Sequence, residues 1–201
     1  MRVVVADDEA IIRLDLKEIL QEEGYEVVGE TGRGDEAIAL VRSLSPDLVV
    51  LDIKMPGTDG LTAAREITSE RLAAVVILTA FSQRDLVDQA REAGVLAYVV
   101  KPFQKSDLLP QIEMALGRFR DIQNLEHDVR SLEEQLETRR LVERAKGILM
   151  DGLGMREREA FSWIQRTAMR ERVTMKEIAR RIIDDGLRPP APEDGPATSE
   201  R

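Results

Sequence analysis

Five side chains of this sequence have the types and positions to handle a phosphoryl group. Asp7 and Asp8 directly follow the apolar run Val3–Val5, Asp52 follows Leu48–Leu51, Thr79 follows Val75–Leu78, and Lys101 follows Ala97–Val100. Three carboxylates brought to one point repel each other unless a cation sits among them. All-oxygen ligands of this kind suit Mg2+ or Mn2+ rather than a softer metal. A carboxylate beside such an ion can attack a phosphoryl group and become an acyl phosphate, and Asp52 is the candidate acceptor. The ion and the Lys101 ammonium would neutralise the transferring oxygens, and the Thr79 hydroxyl could hydrogen-bond them. Singly, each residue has a plainer explanation. Acids after a strand often cap the next helix, and a lysine there is usually solvated. All five at strand ends argue together for a phosphoacceptor site.

The elements that must position them are legible in the hydrophobic pattern. Five short apolar runs, the four above and Glu26–Gly29, alternate with helical patterns such as Ile11, Leu14, Ile19 and Leu20 before Gly24. That alternation predicts an α/β fold, a doubly wound (βα)5 parallel sheet with helices on both faces. Runs such as LVVL and VVIL are uniformly apolar, as strands covered on both sides should be. In such a sheet, ligands bind at the carboxyl ends of the strands, where all five residues fall.

Composition narrows the remaining choices. The 201 residues include no Cys and one His, His127, which excludes disulfides, thiol catalysis and the usual multi-His metal sites. The start, MRVVVADDEA, turns acidic too soon for a signal peptide, and no apolar run approaches a membrane span. A cytoplasmic protein with no membrane association is expected. The net charge of −9 hides a split: residues 1–138 balance at −12, residues 139–188 at +5 and the tail 189–201 at −2. The pattern suggests two modules, the second with an anionic partner.

After Gly117 the periodicity changes. Ile122, Leu125, Val129, Leu132 and Leu136 recur at spacings of three and four with charged shoulders, a short heptad stripe over 119–138. It predicts either a linker helix packed on its own domain or a coiled-coil dimer contact. Three further helical stripes follow over 139–188: Leu141 to Leu149, Ala160 to Ala168, and Ile178 to Ile183 after a Thr174/Glu177 capping box. The Pro-rich tail 189–201 is expected to be disordered.

Residues 1–118, through VVVADDEAIIR, LVVLDIKMPGTDG, VVILTA and AYVVKPF, closely resemble the receiver domain of two-component response regulators. The resemblance implies that a sensor histidine kinase phosphorylates Asp52. It implies Mg2+ held by Asp8, Asp52 and the Lys54 carbonyl, with Asp7 assisting through water. Lys101 would pair with the phosphoryl group beside a cis Lys101–Pro102 bond, and Thr79 and Tyr98 would form the switch pair.

Residues 139–188, with RRLVERAKGILMDGLGM and EAFSWIQRTAMRERVTMKEIA, resemble the ANTAR domain, a three-helix RNA-binding antiterminator module. Arg140, Arg144, Lys146, Arg166, Arg170, Arg172 and Lys176 are the expected phosphate contacts; any one of them could instead be a solvated helix cation. Lys146 is expected outside the apolar stripe. Phe161 is assigned to the core, and Trp163, off the stripe, is the better candidate to stack on a base. Together these features imply a regulator that dimerises on phosphorylation, binds paired RNA stem-loops and promotes antitermination. A DNA-binding transcription factor and a phosphorylated protein-binding adaptor are the competing readings. No enzymatic output is expected beyond the receiver's own phosphotransfer and dephosphorylation, since residues 119–201 hold no nucleophile–base pair.

Overall fold

A computed structural model of the chain describes residues 1–80 and 84–189. It divides into two compact units, Met1–Leu125 and Glu126–Arg201. The expected disordered tail falls, from residue 190 onward, outside the described residues.

The first unit alternates strand and helix: β1 (Arg2–Ala6), α1 (Ala10–Glu22), β2 (Glu26–Thr31), α2 (Gly34–Leu44), β3 (Leu48–Asp52), α3 (Gly60–Ser69), β4 (Ala74–Thr79), α4 (Arg84–Glu92), β5 (Ala97–Val100) and the start of α5 (Lys105–Leu153). All strand pairs are parallel, in the order β2-β1-β3-β4-β5. The doubly wound fold expected from the apolar runs is the fold observed.

The strands read as uninterrupted apolar runs because both faces are covered. Val3, Val5, Leu48, Val50, Val76 and Leu78 point to one side, where Leu16 and Leu20 of α1 and Leu108 and Ile112 of α5 meet them. Their alternates Val4, Ala6, Val49, Leu51, Val75 and Ile77 meet Val41 of α2 and Ala64 and Ile67 of α3 on the other. Each fully buried Leu, Ile or Val contributes roughly 1.5–3 kcal/mol.

α5 continues without a break to Leu153, so the segments separated by their sequence patterns share one 49-residue helix. The change after Gly117 marks a change in which face is buried, not a backbone break: Leu108, Ile112, Ala115 and Leu116 are buried, whereas Leu125, Val129, Leu132 and Leu136 are exposed. Positive φ at Gly154, just past the helix end, gives the chain its exit into the next turn.

In the second unit, the last turns of α5 pack with α6 (Glu157–Glu171) and α7 (Met175–Asp184) around Val142, Ala145, Leu149, Ala160, Ile164, Ile178 and Ile182. Thr174 caps α7, its hydroxyl accepting from the Glu177 N–H at 3.2 Å. Arg172 at the end of α6 takes a left-handed φ of 57°. Among the described residues no helix is long and apolar enough to cross a membrane.

Candidate phosphoacceptor site and basic helical module

The ends of β1, β3, β4 and β5 bring their terminal residues to one cleft of about 220 Å3, lined by Asp8, Glu9, Asp52, Ile53, Lys54, Thr79, Ala80 and Lys101. Asp52 closes β3 and is only 5 % exposed, with Oδ2 accepting the Lys54 N–H at 2.7 Å. Asp7, after β1, is fully buried; its N–H donates to the Thr31 carbonyl at 3.1 Å and its Oδ1 accepts the Glu9 N–H at 3.0 Å. The Arg13 guanidinium pins this turn by donating to the Asp7 carbonyl at 2.7 Å.

Lys101 ties the site together. Its Nζ lies 2.8 Å from Asp52 Oδ1 and 2.7 Å from Asp7 Oδ2. Burial acts to lower the Lys101 pKa, but the Asp52 and Asp7 carboxylates outweigh it and raise the pKa above its ordinary value. Burial likewise raises the Asp7 carboxyl, in spite of its lysine partner. Asp7 Oδ2 is buried, with the Lys101 ammonium as its one close partner among the described residues.

That oxygen, and the local excess of carboxylates over cations, fit a hard divalent ion. Asp7, Asp8 and Glu9 each offer an oxygen, all within 4.8 Å of one another. Asp8 is exposed and Lys54 borders the cleft with an exposed side chain. Thr79 is buried beside Ala80 at the cleft wall, while Tyr98 on β5 is exposed. Lys101–Pro102 is cis. Glu9 was not anticipated from the sequence, although it directly follows the Asp7–Asp8 pair; its carboxylate stands 3.7 Å from Lys101 Nζ. Arg13 was missed as well, because it acts through main-chain carbonyls, which leave no pattern of residue types.

Of the expected phosphate contacts in the second unit, Arg140, Arg144, Arg166, Arg170 and Arg172 are exposed. Lys176 is half-buried, and it pairs with Glu137, which Arg180 also reaches at 2.8 Å. Arg170 stands 3.5 Å from Glu171. Lys146 departs from expectation: it is 6 % exposed, with Nζ 2.9 Å from Glu143 and 2.7 Å from Glu157, and so bridges α5 to α6. Glu157 and Glu143 raise its pKa, further committing the charge inside the module.

The two aromatic residues also exchange roles. Phe161 is 41 % exposed, and Trp163 packs against the three-helix core. Both flank the Ala160–Ile164–Ala168 stripe, on opposite edges, so the choice between them depends on neighbouring helices rather than on spacing.

A parallel sheet with a buried aspartate beside a lysine and a second acidic pair has the form of a receiver domain, followed here by a basic three-helix module. The response regulator receiver domain model matches residues 3–113 and the ANTAR domain model residues 130–183, and the chain belongs to the response regulators that join these two domains. The transcriptional regulatory protein PdtaR of Mycobacterium tuberculosis (strain H37Rv) is 58 % identical over 183 residues, covering 91 % of this chain and 89 % of that protein. Among solved structures, the receiver domain of the putative response regulator NarL from Mycobacterium tuberculosis superposes with a TM-score of 0.55 at 29 % identity, over 58 % of this chain and 95 % of that one. The CheX–CheY–BeF3–Mg2+ complex from Borrelia burgdorferi gives 0.53 at 26 % identity, over 56 % and 86 %.

Proposed function

We propose that this protein is a cytoplasmic, phosphorylation-activated response regulator that binds RNA stem-loops and promotes transcription antitermination. The observation that carries the reading is the buried Asp52, paired with Lys101 beside Asp7, in a chain that ends in an ANTAR domain.

A sensor histidine kinase is the proposed donor. An Asp52 carboxylate oxygen attacks phosphorus, the bond to the donor breaks, and the group is held as an acyl phosphate. Asp8, Asp52 and the Lys54 carbonyl, with Asp7 and Glu9 behind them, are the residues to hold Mg2+ or Mn2+. Such an ion, when bound, neutralises charge on the phosphoryl oxygens. The CheY complex named above, with Mg2+ and BeF3, supports this assignment.

Lys101 supplies the fixed positive charge. On phosphorylation it can exchange its Asp52 contact for a phosphoryl oxygen, and the Thr79 hydroxyl can donate to another. Tyr98, exposed in this structure, is then free to follow Thr79 inward, which remodels the surface around β5. The chain's own chemistry ends there, in phosphotransfer and slow hydrolysis; its output is binding. Dimerisation through the exposed stripe from Leu125 to Leu136 brings two ANTAR modules to paired stem-loops, raising affinity by effective concentration.

The test is labelling by acetyl phosphate combined with RNA binding. Asp52→Asn should abolish the acid-labile label, as should chelation of the divalent ion, and phosphorylation should tighten binding to tandem hairpins. Wild-type labelling of the Asn variant would overturn the site, and preference for duplex DNA would overturn the output.

A further inference from the structure

Resting on the RNA reading above, we propose that the RNA backbone lies along the outer face of α6, held by Arg156, Arg158 and Arg166. The argument begins with which cations are available. Residues 139–188 contain 13 Lys and Arg. The lysines are already committed, Lys146 to Glu143 and Glu157, and Lys176 to Glu137. Arg180 shares Glu137, and Arg181 and Arg170 share Glu171. A phosphate approaching any of these must first displace a carboxylate.

Arg156, Arg158 and Arg166 form no ion pair among the described residues. They surround one shallow depression together with Ser162 and Gln165. Residues 158, 162 and 166 follow each other at four-residue intervals, and so share one face of α6, turned away from the Ala160–Ile164 core stripe. The one acid in the depression, Glu159, is occupied at the helix start, accepting the Arg156 N–H at 3.0 Å.

Three guanidiniums around a hydroxyl and an amide fit a row of phosphates, since each guanidinium can grip two phosphoryl oxygens at once. Arg140 and Arg144 on α5 offer two free charges on a separate helix. The α6 face includes two residues, Arg156 and Arg158, that the helical spacing of the sequence did not single out.

The experiment is a salt titration of binding by the full chain, in acetyl phosphate and Mg2+, to an RNA carrying two tandem hairpins. Duplex DNA of equal length is the comparison. R158Q/R166Q should flatten the logarithmic salt slope by about 1.5 and weaken binding on the order of tenfold near 0.15 M salt. R158K/R166K should restore most of the slope, which separates charge from folding, and R140Q/R144Q should have the smaller effect. A parental slope in a folded R158Q/R166Q variant, with the loss appearing in R140Q/R144Q instead, would overturn the α6 surface and leave the RNA reading intact. Failure of the parent to bind the hairpins, or its preference for the duplex, would overturn the RNA reading itself.

Discussion

A Cβ added to Gly60 would stand 1.9 Å from the main-chain carbonyl oxygen of Asp52. The first residue of α3 is thus seated against the backbone of Asp52 itself, and its N–H donates to the Ile53 carbonyl at 2.8 Å. Asp59 begins the helix there, its carboxylate accepting the Leu61 and Thr62 N–H groups at 3.1 and 3.0 Å. Gly60→Ala must push α3 and the end of β3 apart. We expect a loss of about 1–3 kcal/mol in urea unfolding. Labelling by acetyl phosphate should fall disproportionately, because the displacement is centred on Asp52. Wild-type labelling in the folded variant would show that the two elements separate without moving the carboxylate.

Leu125 and Leu132 are exposed on α5. Changing both to Gln should therefore leave the thermal midpoint of the monomer nearly unchanged while reducing the dimer proposed to form on phosphorylation. Light scattering with and without acetyl phosphate reads this directly. An undiminished dimer in the double variant would exclude this stripe as the contact.

Lys146 is a structural cation. Its partners Glu143 and Glu157 are themselves exposed, so the charge contribution is small, and the loss on truncation comes chiefly from a side chain that is buried to 6 % exposure. Lys146→Ala should cost about 1 kcal/mol or more of stability. At a temperature where the variant is folded, its salt slope for RNA should match the parent. A slope lowered by about one unit would return Lys146 to the phosphate contacts.

Tyr25 makes a prediction at alkaline pH. Burial, then its hydrogen bond to the Glu113 carboxylate, raises its phenol to about 12. Folding thus favours the neutral phenol. The stability this confers is complete below the unfolded tyrosine pKa of about 10 and is lost as pH rises through the folded value. In a Tyr98→Phe background the remaining phenolate absorbance should appear near pH 12, and Glu113→Gln should move it down. Ionisation at the ordinary value in the folded protein would contradict the contact.

The receiver half was legible because strand ends and reactive residues coincide in the sequence. Asp52, Thr79 and Lys101 each follow an apolar run, and parallel pairing then has little freedom but to gather them. What escaped was decided by packing between elements distant in sequence. Spacing put Phe161 inside and Trp163 outside, yet both border the stripe, and the neighbouring helices resolve the tie the other way. Lys146 carries the same lesson: a cation next to Ala145 reads as solvated until Glu157, 11 residues on, is seen to fold back onto it. The continuity of α5 was hidden because a change in hydrophobic face and a break in the backbone look alike along a sequence.

The division between paired and unpaired cations in residues 139–188 has a bearing on control. Both lysines there are locked into ion pairs, and every cation without one, among the described residues, is an arginine. Guanidiniums keep their charge at any pH a cell reaches and are untouched by lysine acetylation. Acylating Lys146 or Lys176 would leave Glu137, Glu143 and Glu157 with fewer counter-charges, without silencing the arginines directly. Such a module is hard to dim by adjusting its own charge, which accords with the control through Asp52 proposed above.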